Sequence, residues 1–277
     1  MSKTFKQHFN SVTDAIPKRS DIPAHNLARF DHAEKREKNE RESLDWFGVK
    51  GGHEEVRRLI AGGWQAGVDR MMQAFGKIDG EFQATNVKRQ IVRGDHGDEL
   101  DIHRVYSGDL GNAWTRRKRQ RRVAPNVVTI AADLAIMWSQ KPDELFWRGA
   151  AVMRLADILT EAGYAVRIVA QIYCKSSTYD GDNVEQLIPV KESSDPLDLN
   201  SVASTICLTG FFRMIGFQNI ARVEGEVTEG YGKVAKNRPP ELDGAIWAGD
   251  GITDVKKAQE WLEATVAAFS NQYQEAA

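Results

Sequence analysis

The sequence predicts an α/β protein: an open, mostly parallel sheet with helices on both faces, preceded by an α-rich N-terminal region with a β-hairpin. Two observations carry this. From residue 127 onward, apolar runs of strand length alternate with segments of helical period, the order that builds parallel sheets from β-then-α units. In addition, 277 residues that are 42% hydrophobic, with seven Trp and eleven Phe, supply apolar surface for a sizeable core.

In chain order, residues 1–28 hold two prolines and little periodicity and read as a flexible arm. Residues 29–115 read as a helical region plus a β-hairpin. Its first part, Phe30 to Glu42, is almost wholly charged and offers helical pairs such as Glu34 with Lys38. Between Glu54 and Phe75, the residues Val56, Leu59, Ile60, Trp64, Val68, Met71, Met72 and Phe75 recur at intervals of three and four, one face of an amphipathic helix. Gly62 and Gly63 weaken it, since each Gly costs about 1 kcal/mol against Ala, so a break is expected there. Val87 to Arg93 and Glu99 to Tyr106, separated by GDHGD, read as the two strands of the hairpin.

Residues 116–126 read as a basic linker and residues 127–277 as the α/β domain. Val127 to Leu134 is a continuous apolar strand, and Pro142 with Asp143 opens a helix that Gly163 ends. Ala165 to Cys174 and Val184 to Lys191 are the next strands, with the polar loop KSSTYDGDN between them. Asp198 caps a helix through about Gly216, Ile220 to Val223 reads as a short edge strand, and Gly225 to Asp243 as an irregular excursion. Ala245 to Ala248 is the last strand, after which Asp254 caps a final helix with an apolar stripe of Val255, Ala258, Trp261, Leu262, Val266 and Phe269.

Charge is placed unevenly. The block RRKRQRR, from Arg116 to Arg122, carries six positive charges on a chain whose formal net charge is −2, which leaves −8 on the remainder. Such concentration attracts polyanions. Arg116, Arg117, Lys118, Arg119, Arg121 and Arg122 are therefore the candidate phosphate contacts, and Trp114, with Tyr106, is placed to stack on bases. Cys174 and Cys207 stand far apart without a CxxC pair, which argues against a disulfide framework and a four-cysteine zinc site. The first twenty residues contain no signal-like apolar stretch, and no run reaches membrane-span length, so a cytoplasmic protein without membrane association is expected.

The stretch VVTIAADLAIMWSQKPDELFWRGAAVMRLADILTEAGYAVRIVAQIYC, completed by AIWAGDGITDVKKAQEW, resembles a degenerate von Willebrand factor A domain, a Rossmann-like fold. It is also similar to uncharacterised phage-encoded proteins with such a domain. In that family one strand ends in a DxSxS loop and a later strand in a TDG-type turn, and the two loops hold a divalent cation. The resemblance implies Asp133 and Asp250 as ligands for Mg²⁺, with no other cofactor. Ala135 and Met137 stand where that family has serines, and Gly249 where it has Thr.

No complete catalytic motif is present: there is no GxxxxGK[ST], no GxGxxG opening a helix, and no GxSxG. The cluster Asp95, His96, Asp98, Asp101 and His103 has the donor types of a metal site but also ordinary turn composition. The expected function is therefore non-enzymatic: an accessory protein that binds nucleic acid with low sequence specificity through the basic segment. The alternative is a von Willebrand A-like scaffold that docks an ATPase or polymerase partner through the loops near Asp133 and Asp250.

Overall fold

The computed structural model describes residues 4–34, 40–79, 90–97, 99–118, 127–175, 183–223, 233–234 and 238–275. The strands are β1 (Thr4–His8), β2 (Gln90–Gly94), β3 (Glu99–Leu100), β4 (Trp114–Lys118), β5 (Val127–Asp133), β6 (Ala165–Lys175), β7 (Asn183–Lys191), β8 (Lys233–Val234) and β9 (Ile246–Ala248). The helices are α1 (Val12–Ala15), α2 (Leu27–Glu34), α3 (Glu40–Phe47), α4 (Gly52–Gly62), α5 (Gln65–Phe75), α6 (Ile102–Tyr106), α7 (Pro142–Glu161), α8 (Leu199–Ile206), α9 (Phe217–Ile220) and α10 (Val255–Glu275). They form two compact units, Met1–Phe82 with Val127–Ala277, and Gln83–Asn126.

The larger unit is an α/β fold built on a mostly parallel sheet of order β1-β7-β6-β5-β9, flanked by helices, with β8 paired to the end of β6. Pairing of β1 with β7, β5 with β6 and β5 with β9 is parallel, and β6 with β7 is antiparallel. Register explains the burial. Ile130 lies beside Ile168 and Ile246, and Ala132 beside Ala170 and Ala248, so these share one face and join the core beneath α7 and its neighbours. Ala131, Val169 and Leu187 have the opposite parity and pack with Leu242, Ala245 and Trp247. α7 opens with Pro142 at its first turn, where the missing N–H is no loss, and Glu144 accepts from the Lys141 N–H.

α7 and α8 approach so closely at Gly149 that a Cβ there would meet the Ile206 carbonyl oxygen at 2.3 Å and the Cys207 sulfur at 2.8 Å. Backbone cannot yield as a side chain can. Gly149→Ala is expected to destabilise the fold by about 3 kcal/mol through overpacking, read as a lower midpoint in urea denaturation.

Several expectations need correction. The N-terminal segment is not wholly an arm: β1 forms an edge strand, with Lys6 and His8 each 3.7 Å from the buried carboxylate of Glu185. TFKQH has no strand signature of its own, and long-range pairing decides it. The amphipathic stretch over 54–75, by contrast, divides at the expected place into two helices, with the break where Gly63 adopts φ +84°. Ile220 to Val223 is no strand; Ile220 ends α9, and a helical path from α8 through a π-turn at Phe211–Gly216 leads into it.

In the smaller unit the hairpin expectation also fails. β2 and β3 both pair antiparallel with β4, giving the order β2-β4-β3, and Ile102–Tyr106 is helical. Asp101 caps that helix by accepting from the Arg104 N–H, which competes successfully with strand extension. The first three residues of the basic linker therefore belong to the central strand of a small sheet.

Candidate functional site

β5 and β9 are adjacent and parallel, so their C-terminal ends lie side by side and bring together the loops that carry Asp133 and Asp250. Between these loops sits a residue the sequence reading missed. Arg148 of α7 is 0% exposed, and its Nη1 donates to the Asp133 carbonyl at 2.5 Å and to the Ala135 carbonyl at 3.4 Å. Its Nε and Nη2 have no hydrogen-bond partner among the described residues. Burial lowers the pKa of this guanidinium below its ordinary value, and the carboxylates of Asp133, Asp250 and Glu144 offset part of that by favouring its charged form.

Asp133 is also buried, and its Oδ1 accepts from the Ala135 N–H at 3.0 Å. Burial pushes its carboxyl up to about 6; Arg148 and the Ala135 N–H pull it down, and Asp250 adds to the rise. The folded chain thus holds this proton more tightly than the unfolded chain, whose value is 3.8. The contribution is most favourable below pH 4 and is lost as pH rises through about 6. A rise from 3.8 to about 6 corresponds to about 3 kcal/mol. Asn at position 133 keeps an oxygen acceptor without a charge, so Asp133→Asn is expected to gain about 2 kcal/mol on the wild type between pH 4 and pH 7, seen by comparing urea curves at both.

A second buried arginine holds the loop after β5. Arg213 Nη2 donates to the Gln140 carbonyl at 2.8 Å and the Met137 carbonyl at 3.1 Å, its Nη1 donates to the Trp46 carbonyl at 2.8 Å, and its guanidinium stacks 4.2 Å from the Trp46 ring. The loop so fixed presents Trp138, 71% exposed, and Met137 to solvent. Beside it lies a groove of about 510 Å³ lined by Lys141, Asp143, Glu144, Trp147, Thr253 and Asp254.

A divalent cation, implied here by the resemblance, does not fit these residues. Ala135, Met137 and Gly249 offer no hydroxyl oxygen, and positive charge beside the carboxylates is already supplied by Arg148. Mg²⁺ at millimolar concentration is expected to leave the thermal midpoint within about 1 °C of its value in chelator. No cluster of three or more His, Cys, Asp or Glu that would hold a metal occurs among the described residues. Asp95 instead pairs with His96 at 2.6 Å, Asp101 caps α6 beside His103, and Asp98 lies outside the described residues. Burial raises both thiols, Cys174 to about 12, so neither is a nucleophile near neutrality.

The basic candidates fall in the smaller unit. Arg116, Arg117 and Lys118 lie along β4, in register with Val92, Ile91 and Gln90; Arg119, Arg121 and Arg122 lie outside the described residues. Trp114, expected to stack on bases, is half-buried where β4 passes between Gly94 and Leu100. Tyr106 is 87% exposed. Residues 83–126 contain ten Lys and Arg against five Asp and Glu, a net +5, which leaves −7 on the rest of the chain.

Fold and site together define an α/β protein with an arginine-filled strand-end site and a separate basic unit. The chain belongs to the family described as domain of unknown function DUF7192, which it matches over residues 1–268, a span that takes in all of the smaller unit and most of the larger. No curated protein matches it, and no solved structure does. Among the described residues no helix is long and apolar enough to cross a membrane.

Proposed function

We propose that this protein is a non-enzymatic, cytoplasmic nucleic-acid-binding protein of low sequence specificity that grips phosphates through the segment Arg116 to Arg122. The observation that carries the reading is the segregation of charge: +5 in a compact unit of residues 83–126 against −7 elsewhere. The acidic groups of that unit are partly spent internally, since Arg104 engages Asp109 at 2.7 Å and Asp101 at 3.5 Å. A polyanion meeting this unit gains entropy from released counterions without needing base-specific contacts. Two free, buried cysteines suit a reducing compartment. The test is titration of the full chain against DNA and RNA oligonucleotides at two ionic strengths. Affinity should fall with salt along a logarithmic slope of roughly −5, for about six neutralised phosphates. Absence of binding at low salt would sink the reading.

A second reading, a von Willebrand A-like scaffold that docks an ATPase or polymerase partner, draws on the exposed Trp138 and Met137 held rigidly beside the strand-end groove. The adjacency of the Asp133 and Asp250 loops supports the resemblance behind it. A partner recovered through wild-type chain after nuclease treatment, and lost with Trp138→Ala, would favour this reading.

A further inference from the structure

We infer that the nucleic acid held by the basic unit is single-stranded, with Tyr106 as the surface on which an unpaired base stacks; this rests on the nucleic-acid reading above. The smaller unit carries more than charge. Tyr106 at the end of α6 is 87% exposed, Ile102 one turn before it is 58% exposed, and Leu110 in the following 3₁₀ turn is 62% exposed. Ile102 and Tyr106 are four residues apart and share a helix face.

The turn that carries this face is internally braced. Asp101 caps α6, Arg104 bridges Asp101 and Asp109, the Asp109 N–H donates to the Arg104 carbonyl at 3.0 Å, and Asn112 donates to the Asp109 carboxylate at 2.9 Å. Gly108, at φ +82°, supplies the reversal between helix and 3₁₀ turn. An aromatic ring on a fixed turn loses little freedom on binding. Arg104 offsets part of the negative charge of Asp101 and Asp109, which lessens the repulsion of a phosphate chain at this turn.

Chemistry selects the occupant. A net charge of +5 favours a polyanion, and an exposed phenol ring beside aliphatic side chains favours a π-face. In a duplex the faces of the bases are stacked on one another, and only their edges reach the grooves. An unpaired base offers its face freely, and an aromatic side chain accepts any of the four, which agrees with low sequence specificity.

The experiment compares the full chain, wild type and Tyr106→Ala, for affinity toward oligothymidylate and toward a mixed-sequence duplex of equal length, each at two ionic strengths. The wild type should prefer the single strand. Tyr106→Ala should weaken single-strand binding roughly five- to a hundredfold, leave duplex affinity and both salt slopes unchanged, and be rescued by Tyr106→Trp. Because the side chain is almost wholly in solvent, the variant keeps its fold, checked by its thermal midpoint. Single-strand binding untouched by Tyr106→Ala overturns the stacking inference alone, whereas a wild type that binds neither polymer overturns it together with the reading beneath it.

Discussion

Glutamine at all six of Arg116, Arg117, Lys118, Arg119, Arg121 and Arg122 is expected to lower nucleic-acid affinity about a thousandfold at low salt and to flatten its salt dependence. Each phosphate neutralised releases close to one counterion, so removing six contacts takes roughly five from the logarithmic slope. The charge of residues 83–126 would change from +5 to −1, reversing the sign of the field that the unit presents. Glutamine is shorter than Arg or Lys but stays polar and uncharged, so the change removes the positive charge without placing apolar side chains there. The larger unit, whose core is formed by other segments, should keep its thermal midpoint. Fluorescence anisotropy at 50 and 200 mM salt, with circular dichroism as the folding control, reads both results. Undiminished retention of DNA and RNA by the substituted chain would remove the phosphate-contact assignment.

How far the sequence announced these features depends on whether their causes are local. β5, β6, α7 and α10 were legible because each carries its own signal: continuous apolar runs, Pro142 at a helix start, and Asp254, whose carboxylate accepts from the Lys257 N–H. β1 and β4 were not. TFKQH and WTRRK become strands only because β7, or β2 and β3, offer them pairing edges far away in sequence. Asp133 and Asp250 were found by motif, and the structure does bring their loops together. Their counter-ion was overlooked, although a signal existed: Arg148 falls on the same face of α7 as Leu145, Val152 and Leu155, and Arg213 interrupts the apolar run FFRMIG. A cation within an apolar stripe is either exposed by a kink or buried with partners, and here both are buried against backbone carbonyls.

Arg148→Ala is expected to cost about 3 to 5 kcal/mol, the range for removing one member of a buried charged group. Three losses combine. The Asp133 carbonyl loses its 2.5 Å donor, the cavity left by a fully buried side chain stays open under α7, and the carboxylates of Asp133, Asp250 and Glu144 lose the cation they surround. Arg148→Met fills most of the cavity without restoring charge or donor, so it should fall between the alanine variant and the wild type. The pH dependence separates the electrostatic part from the packing part. Arg148 holds the Asp133 carboxyl below the value burial alone would set, so its removal raises that carboxyl further above 6. At pH 5 the carboxyl is mostly protonated with or without the guanidinium, so its removal costs little electrostatically; at pH 8 the wild-type carboxylate is charged, and the variant leaves it unpaired or holds its proton at a cost. The deficit of Arg148→Ala should therefore be larger at pH 8 than at pH 5, and Asp133→Asn added to it should recover part of the difference at pH 8, a coupling of about 1 to 3 kcal/mol in a double-mutant cycle. Equal deficits at both pH values would mean that the guanidinium acts through volume alone. A total loss below about 1 kcal/mol would mean that it is not the buried counter-ion of these carboxylates.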